Sequence, residues 1–375
     1  MVAFGGRTQR VQTQSINGGP AGAADAADLA QAAPGGGGKT IFPGSPALDG
    51  LRAPGGQTWS EIRRSRSPRW HMVWLDLAAR YLMLALGYAL ACTVAAAFGN
   101  LVGLALAPLS GLWMGFWFSS IVLFMHEAAH YNLHADKASN DRIANALVCI
   151  LVGDEIKHYR ALHWKHHLYL GDTNDTEVSY HWAPSARFFL ETLLGIHALR
   201  VFKAHRNAGR DTATAKVARG RDWTALARGL ALHGVVFLGP ILAGLWSVAA
   251  AWVLAVFLVF PFLSALRQQL EHRSPEASGR IDYSKVPHGA VNRMFGPSPL
   301  ARAFGSVGFR RHLLHHWDPS TSYTRFDELE GFLMSTEFAP MIDDARTTYL
   351  AVWRVLLRDD DVRTTTFDGG LRQGS

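Results

Sequence analysis

Two long stretches of this chain carry no charge. From Tyr81 to Met125, 45 residues pass without an Asp, Glu, Lys or Arg, and from Gly229 to Leu266 another 38 do the same. An α-helix rises about 1.5 Å per residue, so about 20 apolar residues cross the hydrocarbon core of a bilayer. Each stretch is long enough for two crossings and a tight turn. Gly99, Asn100 and Gly103 supply turn chemistry in the first, and Gly244 to Ser247 in the second. Pro240 and Pro261 are tolerable there, because neighbouring membrane helices re-satisfy freed backbone groups. Runs of this length argue against core helices of a soluble protein. The expected fold is all-α and integral to the membrane. It has two transmembrane hairpins, with spans at about 81–99, 105–125, 229–247 and 248–266, under a helical cap.

The charges are placed as a membrane protein places them. Between the two hairpins lie Lys137, Arg142, Lys157, Arg160, Lys165, Arg187, Arg200, Lys203, Arg206, Arg210, Lys216, Arg219, Arg221 and Arg228, whereas the two outer turns carry no Lys or Arg. The positive-inside rule then puts both termini and the connecting loop in the cytoplasm. That placement accounts for the formal net charge of +7 without a nucleic-acid partner. Two shorter apolar pieces, Ile143 to Val152 and Phe188 to Phe202, are too short or too charged to span and are expected at the interface or over the cap.

Residues 1–58 are rich in Gly, Ala, Pro, Ser and Gln and are expected as a disordered tail, as are residues 359–375; the membrane domain is expected between them, at 59–358. No apolar core of a secretory signal follows an early basic cluster. The run Gly35-Gly36-Gly37-Gly38-Lys39-Thr40 lacks the first glycine of a phosphate-binding loop, since Ala33 stands there. The only cysteines, Cys92 and Cys149, cannot build a disulfide framework, an iron–sulfur cluster or a Cys-rich zinc site.

Histidine is the compositional outlier, at 17 residues, and most fall in clusters. His126-Glu127-Ala128-Ala129-His130 closes the second expected span. His163-Trp164-Lys165-His166-His167 lies in the connecting loop. His272 follows the fourth span, and His312-Leu313-Leu314-His315-His316 lies near the C-terminus. Residues i, i+3 and i+4 share one face of a helix, so each box aims two or three imidazoles at one centre. At this histidine frequency, two HxxHH patterns arise by chance in roughly fewer than one in a thousand chains. Imidazole suits Fe, Zn, Cu and Ni, and ionisable groups at membrane depth are functional by default. A zinc ion takes about four ligands, so nine imidazoles imply two ions in one cage. Neighbouring carboxylates are candidates for orienting the ring N–H groups: Glu127, Asp154, Glu155, Asp172, Asp175, Glu271 and Asp318. Each is equally open to being a solvated surface carboxylate. Lone histidines such as His71, His181, His205 and His288 read as surface residues, and His134 and His158 as possible outer neighbours of the boxes.

The order HEAAH, HWKHH, HLLHH, with paired spans between the second box and the third, resembles the membrane fatty acid desaturase and hydroxylase superfamily. The resemblance runs from about Tyr81 to Leu333. It implies two ferrous ions, held by His126, His130, His163, His166, His167, His272, His312, His315 and His316. It also implies a water-mediated contact from Gln268, four residues before His272, where Asn is the more usual residue. The activity implied is O₂-dependent oxidation of an unactivated C–H bond in a lipid acyl chain, as desaturase or as lipid or alkane hydroxylase. Neither a flavin fingerprint nor a haem motif is present, so electrons come from a separate ferredoxin or cytochrome b5-like donor. Arg160, Lys165, Arg310 and Arg311 could dock that donor or a lipid headgroup, or could simply mark the inner side. Two rivals from other classes share part of the pattern. HEAAH is also the HExxH of a zinc metalloprotease with Glu127 as base, and a metal transporter would use the same imidazoles. The protease reading leaves both HxxHH boxes and His272 without a role. A transporter would hold its ligands within the spans rather than at their ends.

Overall fold

The computed structural model describes residues 48–207, 222–277 and 281–357. The expected tail up to residue 47, with its glycine run, and the expected C-terminal tail lie outside these residues. So do Arg210, Lys216, Arg219 and Arg221 of the connecting loop.

Four helices are long and apolar enough to cross a membrane: Trp70–Phe98, Asn100–Ala129, Trp223–Leu242 and Trp246–His272. All four run beyond the uncharged windows of the sequence. Polar and aromatic residues such as Trp70, Asp76, Arg80 and His272 continue the same helices once backbone hydrogen bonding is under way. The first two are α2 (Trp70–Phe98) and α3 (Asn100–Val122), with α4 (Phe124–Ala129) continuing α3. Before them stands a short α1 (Trp59–Arg64). The connecting region forms α5 (Lys137–Leu147), α6 (Ile156–Tyr169), α7 (Ala186–Leu193) and α8 (Ile196–Asn207). The second hairpin is α9 (Trp223–Leu242), then α10 (Trp246–Val253), a π-helical turn at Leu254–Val259 and α11 (Phe260–His272). The wider π turn stands just before Pro261, which cannot donate to the preceding turn. Short helices α12 (Pro299–Phe304), α13 (His312–Trp317), α14 (Phe326–Met334), α15 (Ala339–Asp344) and α16 (Tyr349–Leu356) follow. Two-residue strands Met294–Phe295 and Arg346–Thr347 pair in parallel.

The first hairpin turns at Gly99, with Gly103 already inside α3. The second turns at 243–245, so Trp246 and Ser247, expected at the end of the third span, belong to the fourth. The two turns are pinned together. Asn100 Nδ2 donates to the Gly244 carbonyl (2.7 Å), and the Ser247 N–H donates to Asn100 Oδ1 (3.1 Å). All histidine boxes therefore lie at the other end of the bundle. Leucines such as Leu90, Leu109, Leu230 and Leu242 face outward along the spans, as lipid contact requires.

Three apolar clusters reach the boxes. Phe118, Ile121, Phe124 and Met125 pack with Trp252 and Ala255 between the hairpins. Trp59 and Leu48 pack with Leu314, Trp317, Phe326 and Leu333 behind the third box. Leu270, Phe295, Phe304 and Tyr349 form the third cluster. Residues 48–58 fall within the stretch expected as tail. They form a turn at Leu48–Gly50, a bridge between Arg52 and Thr58, and a capping box in which Thr58 and Glu61 satisfy the first N–H groups of α1. Of the two short apolar pieces, the first ends α5 and turns at Cys149–Val152, with Cys149 buried. The second becomes the amphipathic α7 and α8, and Leu190, Leu193, Leu194 and Leu199 along this stretch are exposed.

Candidate metal centre

Each box lies on a helix whose pitch collects its imidazoles. His126 lies within α4 one turn before His130, whose backbone N–H still bonds within that turn. His163, His166 and His167 share the inner face of α6. His272 ends α11. His312, His315 and His316 lie on α13, which Gly308 launches with φ 85°. Any side chain at 308 would be strained in that conformation, and its Cβ would stand 2.7 Å from that of Tyr323.

All nine boxed histidines are buried, and they sort into two groups. His126, His130, His163, His167 and His315 form one, and His166, His272, His312 and His316 the other. Within each group the ligand-capable ring nitrogens all lie within 4.8 Å of one another. Facing Nε2 atoms stand 3.1 Å apart for His163 and His167, 2.9 Å for His167 and His315, 3.0 Å for His272 and His312, and 3.1 Å for His312 and His316. Two nitrogens bound about 2.1 Å from a shared ion at right angles would be about 3.0 Å apart. Both ring nitrogens of His126 and of His130, and Nε2 of His166, are buried with no hydrogen-bond partner. A neutral imidazole has one N–H, so hydrogen bonding cannot satisfy so many converging nitrogens. A cation on each group takes up one nitrogen of each ring. The donors fit two metal ions.

Burial also prepares the ligands. It pushes His130, His163, His167, His312, His315 and His316 below the ordinary histidine range, so these rings are neutral and their lone pairs available. His166 differs. Burial pulls it down, but the carboxylates of Asp175 and Glu177 outweigh that and hold it at about 9. Its Nδ1 stands 2.9 Å from Asp175 Oδ1, which leaves Nε2 for the group. Likewise His163 Nδ1 meets Glu177 Oε1 at 3.3 Å, and His272 Nδ1 meets the Val291 carbonyl at 3.3 Å. Each contact fixes which nitrogen looks inward.

The carboxylates proposed from sequence divide sharply. Asp175 orients a box imidazole. Glu177, which the sequence reading did not single out, does so too. Its position, ten or more residues past its partner His163, has no helical period to announce it. Glu127 instead accepts from the Tyr323 backbone N–H (3.4 Å). Asp172 caps its own loop, accepting from the Asn174 N–H (2.8 Å). Glu271 faces Arg267, and Asp318 binds the Trp59 indole N–H (2.6 Å), Arg63, Ser320 and Thr321. Asp154 holds His158 Nδ1 (2.8 Å), and Glu155 faces Arg228. His134 accepts from the Asp136 backbone N–H. Gln268 Oε1 accepts from the Ser179 backbone N–H at 2.8 Å.

Two expectations for lone residues fail. His181 and His288 are buried rather than on the surface; they stack on each other beside Tyr180, and Arg273 donates to the His181 carbonyl. Arg160 is buried too. It binds the Asp141 carboxylate (2.5 Å) and the carbonyls of Ala128 and Ala129, so it braces the first box instead of presenting charge to a partner. Arg311 is committed to Asp327 and Glu330.

The family model for fatty acid desaturases matches residues 101–340, which takes in every box. The chain belongs to the fatty acid desaturase family. No curated protein matches the sequence. Membership of the desaturase family makes this chain an oxidoreductase of lipid in a membrane setting, and its two histidine groups are able to hold the metal on which such chemistry depends.

Proposed function

We propose that this desaturase-family protein is an O₂-dependent non-haem di-iron oxidoreductase that acts on an unactivated C–H bond of a lipid acyl chain, with desaturation as its reaction. The convergence of His126, His130, His163, His167 and His315 on one point, and of His166, His272, His312 and His316 on another, carries the reading. These residues would hold two ferrous ions, which when bound supply O₂ activation and hydrogen removal from the chain. The protein's own residues hold and shield that pair. Asp175, Glu177 and the Val291 carbonyl fix the rings. Phe309 lies 4.6 Å from the His126 ring and stacks on His312 at 5.1 Å, where it excludes water.

The protease alternative fits less well. A catalytic zinc keeps about three protein ligands and one open position. Here His126 and His130 share their point with three further imidazoles, and the Glu127 carboxylate is taken up by the Tyr323 N–H. The positive residues between the hairpins favour a cytoplasmic metal centre and cytoplasmic termini. A separate ferredoxin or cytochrome b5-like protein supplies two electrons per turnover, because two cysteines cannot build a redox cluster here.

The test is expression in a lipid-producing host, with mass spectrometry of total lipids and metal analysis of the purified protein. A product two mass units lighter and about two irons per chain are expected; a product sixteen units heavier would assign hydroxylation. His166→Ala and His315→Ala should abolish product and lower bound iron. Normal turnover by either variant would remove them from the ligand set.

A further inference from the structure

The last turns of the fourth span carry an ion pair that the metal centre does not use. Arg267 and Glu271 stand one turn apart on α11, 7% and 2% exposed. The Arg267 guanidinium lies 4.8 Å from the ring centres of both Phe304 and Phe309. Its Nε and Nη1 are buried with no hydrogen-bond partner, and so is Glu271 Oε1. Nη1 and Oε1 face each other at 3.9 Å, close enough to attract and too far to bond. The Tyr349 hydroxyl is also buried and unpartnered, and its ring packs edge-on against Phe304. Buried polar groups in native proteins almost always find partners, so a cluster of unmet ones calls for a partner that the protein itself does not supply. It lies one ring away from the metal centre, because Phe309 also contacts His126 and His312.

The gap selects the chemistry of that group. One oxygen at about 2.8 Å from both Nη1 and Oε1 would subtend roughly 90° between them. It must accept from the guanidinium and donate to the carboxylate. A hydroxyl does both through a single atom. An ester or ether oxygen cannot donate, and neither can an ionised carboxylate. A trans amide turns its acceptor and donor to opposite sides, so it cannot bridge so short a gap.

We propose that Arg267 and Glu271 bind the hydroxyl group of a hydroxyl-bearing long-chain lipid, which the enzyme selects over simple acyl esters. The proposal rests on the oxidoreductase reading above and names its substrate class.

The test uses the full-length protein in phosphatidylcholine nanodiscs and a photoreactive 18-carbon alcohol, with labelled peptides mapped by mass spectrometry. Labelling is expected around Phe304, Phe309 and Tyr349. Octadecan-1-ol should compete for it at least about tenfold better than its methyl ether, which accepts but cannot donate. Arg267→Met should erase that preference while retaining iron. Should Arg267→Met fail to fold, the alcohol and ether comparison on the wild-type protein decides alone. Equal competition by the ether would overturn the proposal and leave bound water as the occupant. Selective alcohol binding without lipid oxidation by the iron-loaded protein would instead sink the oxidoreductase reading and leave this binding site standing.

Discussion

Asp175 shows how one residue can orient a candidate metal ligand without being a member of either histidine group. Its side chain is fully buried, and both oxygens face His166 Nδ1, at 2.9 and 3.0 Å. It also accepts from the Glu177 backbone N–H (2.8 Å) and from the Tyr180 hydroxyl. A carboxylate here makes the imidazole more basic and turns Nε2 inward. Asp175→Asn keeps the size and the Tyr180 contact but removes the charge. Iron affinity should fall on the order of 10–100-fold, as losses of such partners generally cost. Iron titration of the purified variant measures it, and unchanged affinity would assign Asp175 a packing role only. The boxes themselves were legible because i, i+3 and i+4 spacing is a local property of a helix. Asp175 stood out only as one carboxylate among seven, and Glu177 did not stand out at all. Their contacts are made by a loop after α6 that folds back on the helix, which no periodicity records.

Among the elements, the contact between the second span and the fourth matters most, because α4 carries the first box and α11 carries His272. Gly111 and Gly115 let the two helices approach. A Cβ at 115 would lie 2.5 Å from that of Val259 and 2.8 Å from the Ala255 carbonyl, in the π-helical turn. Backbone at that distance cannot swing aside, so the helices must part. Gly115→Ala should cost about 1–3 kcal/mol, the range for overpacked cores, and lower iron content as His272 shifts from His312. Thermal melting in detergent with metal analysis checks both, and a variant as stable and as iron-rich as the parent would show that the contact yields. The spans were legible from charge alone, although their ends were not: helices continue past the last apolar residue while polar side chains still reach water or a partner. The clasp formed by α1 was hidden for a different reason. Trp59 binds Asp318, 259 residues away, and a six-residue helix beside a Gly- and Pro-rich stretch has too little periodicity to announce a docking site.

For the whole molecule, gathering nine imidazoles makes the metal-free fold depend on protons. His130, His163, His167, His312, His315 and His316 are all pushed down by burial. The unfolded chain protonates the same residues near pH 6.5, where free histidine titrates, at about 1.4 kcal/mol per group for each pH unit below it. The unfolded state then binds more protons than the folded state, so stability is full above about pH 6.5 and is lost as the pH falls through that value. His166 runs the other way. Held at about 9 in the fold, it stabilises fully below about 6.5, and that contribution is lost as the pH rises toward 9. Metal-free protein should therefore be most stable near neutrality, with the steeper fall on the acid side, where several groups act together. On the proposed reading, bound iron would take the place of the His166 proton and stabilise the native state by mass action, so the alkaline decline should vanish in the loaded protein. Melting temperatures in detergent from about pH 5 to 9, with and without iron, would show this. A metal-free protein whose melting point ignores pH between about 5 and 6.5 would mean that these rings take up protons in the folded chain, and so are not the dry, neutral ligands that the centre requires.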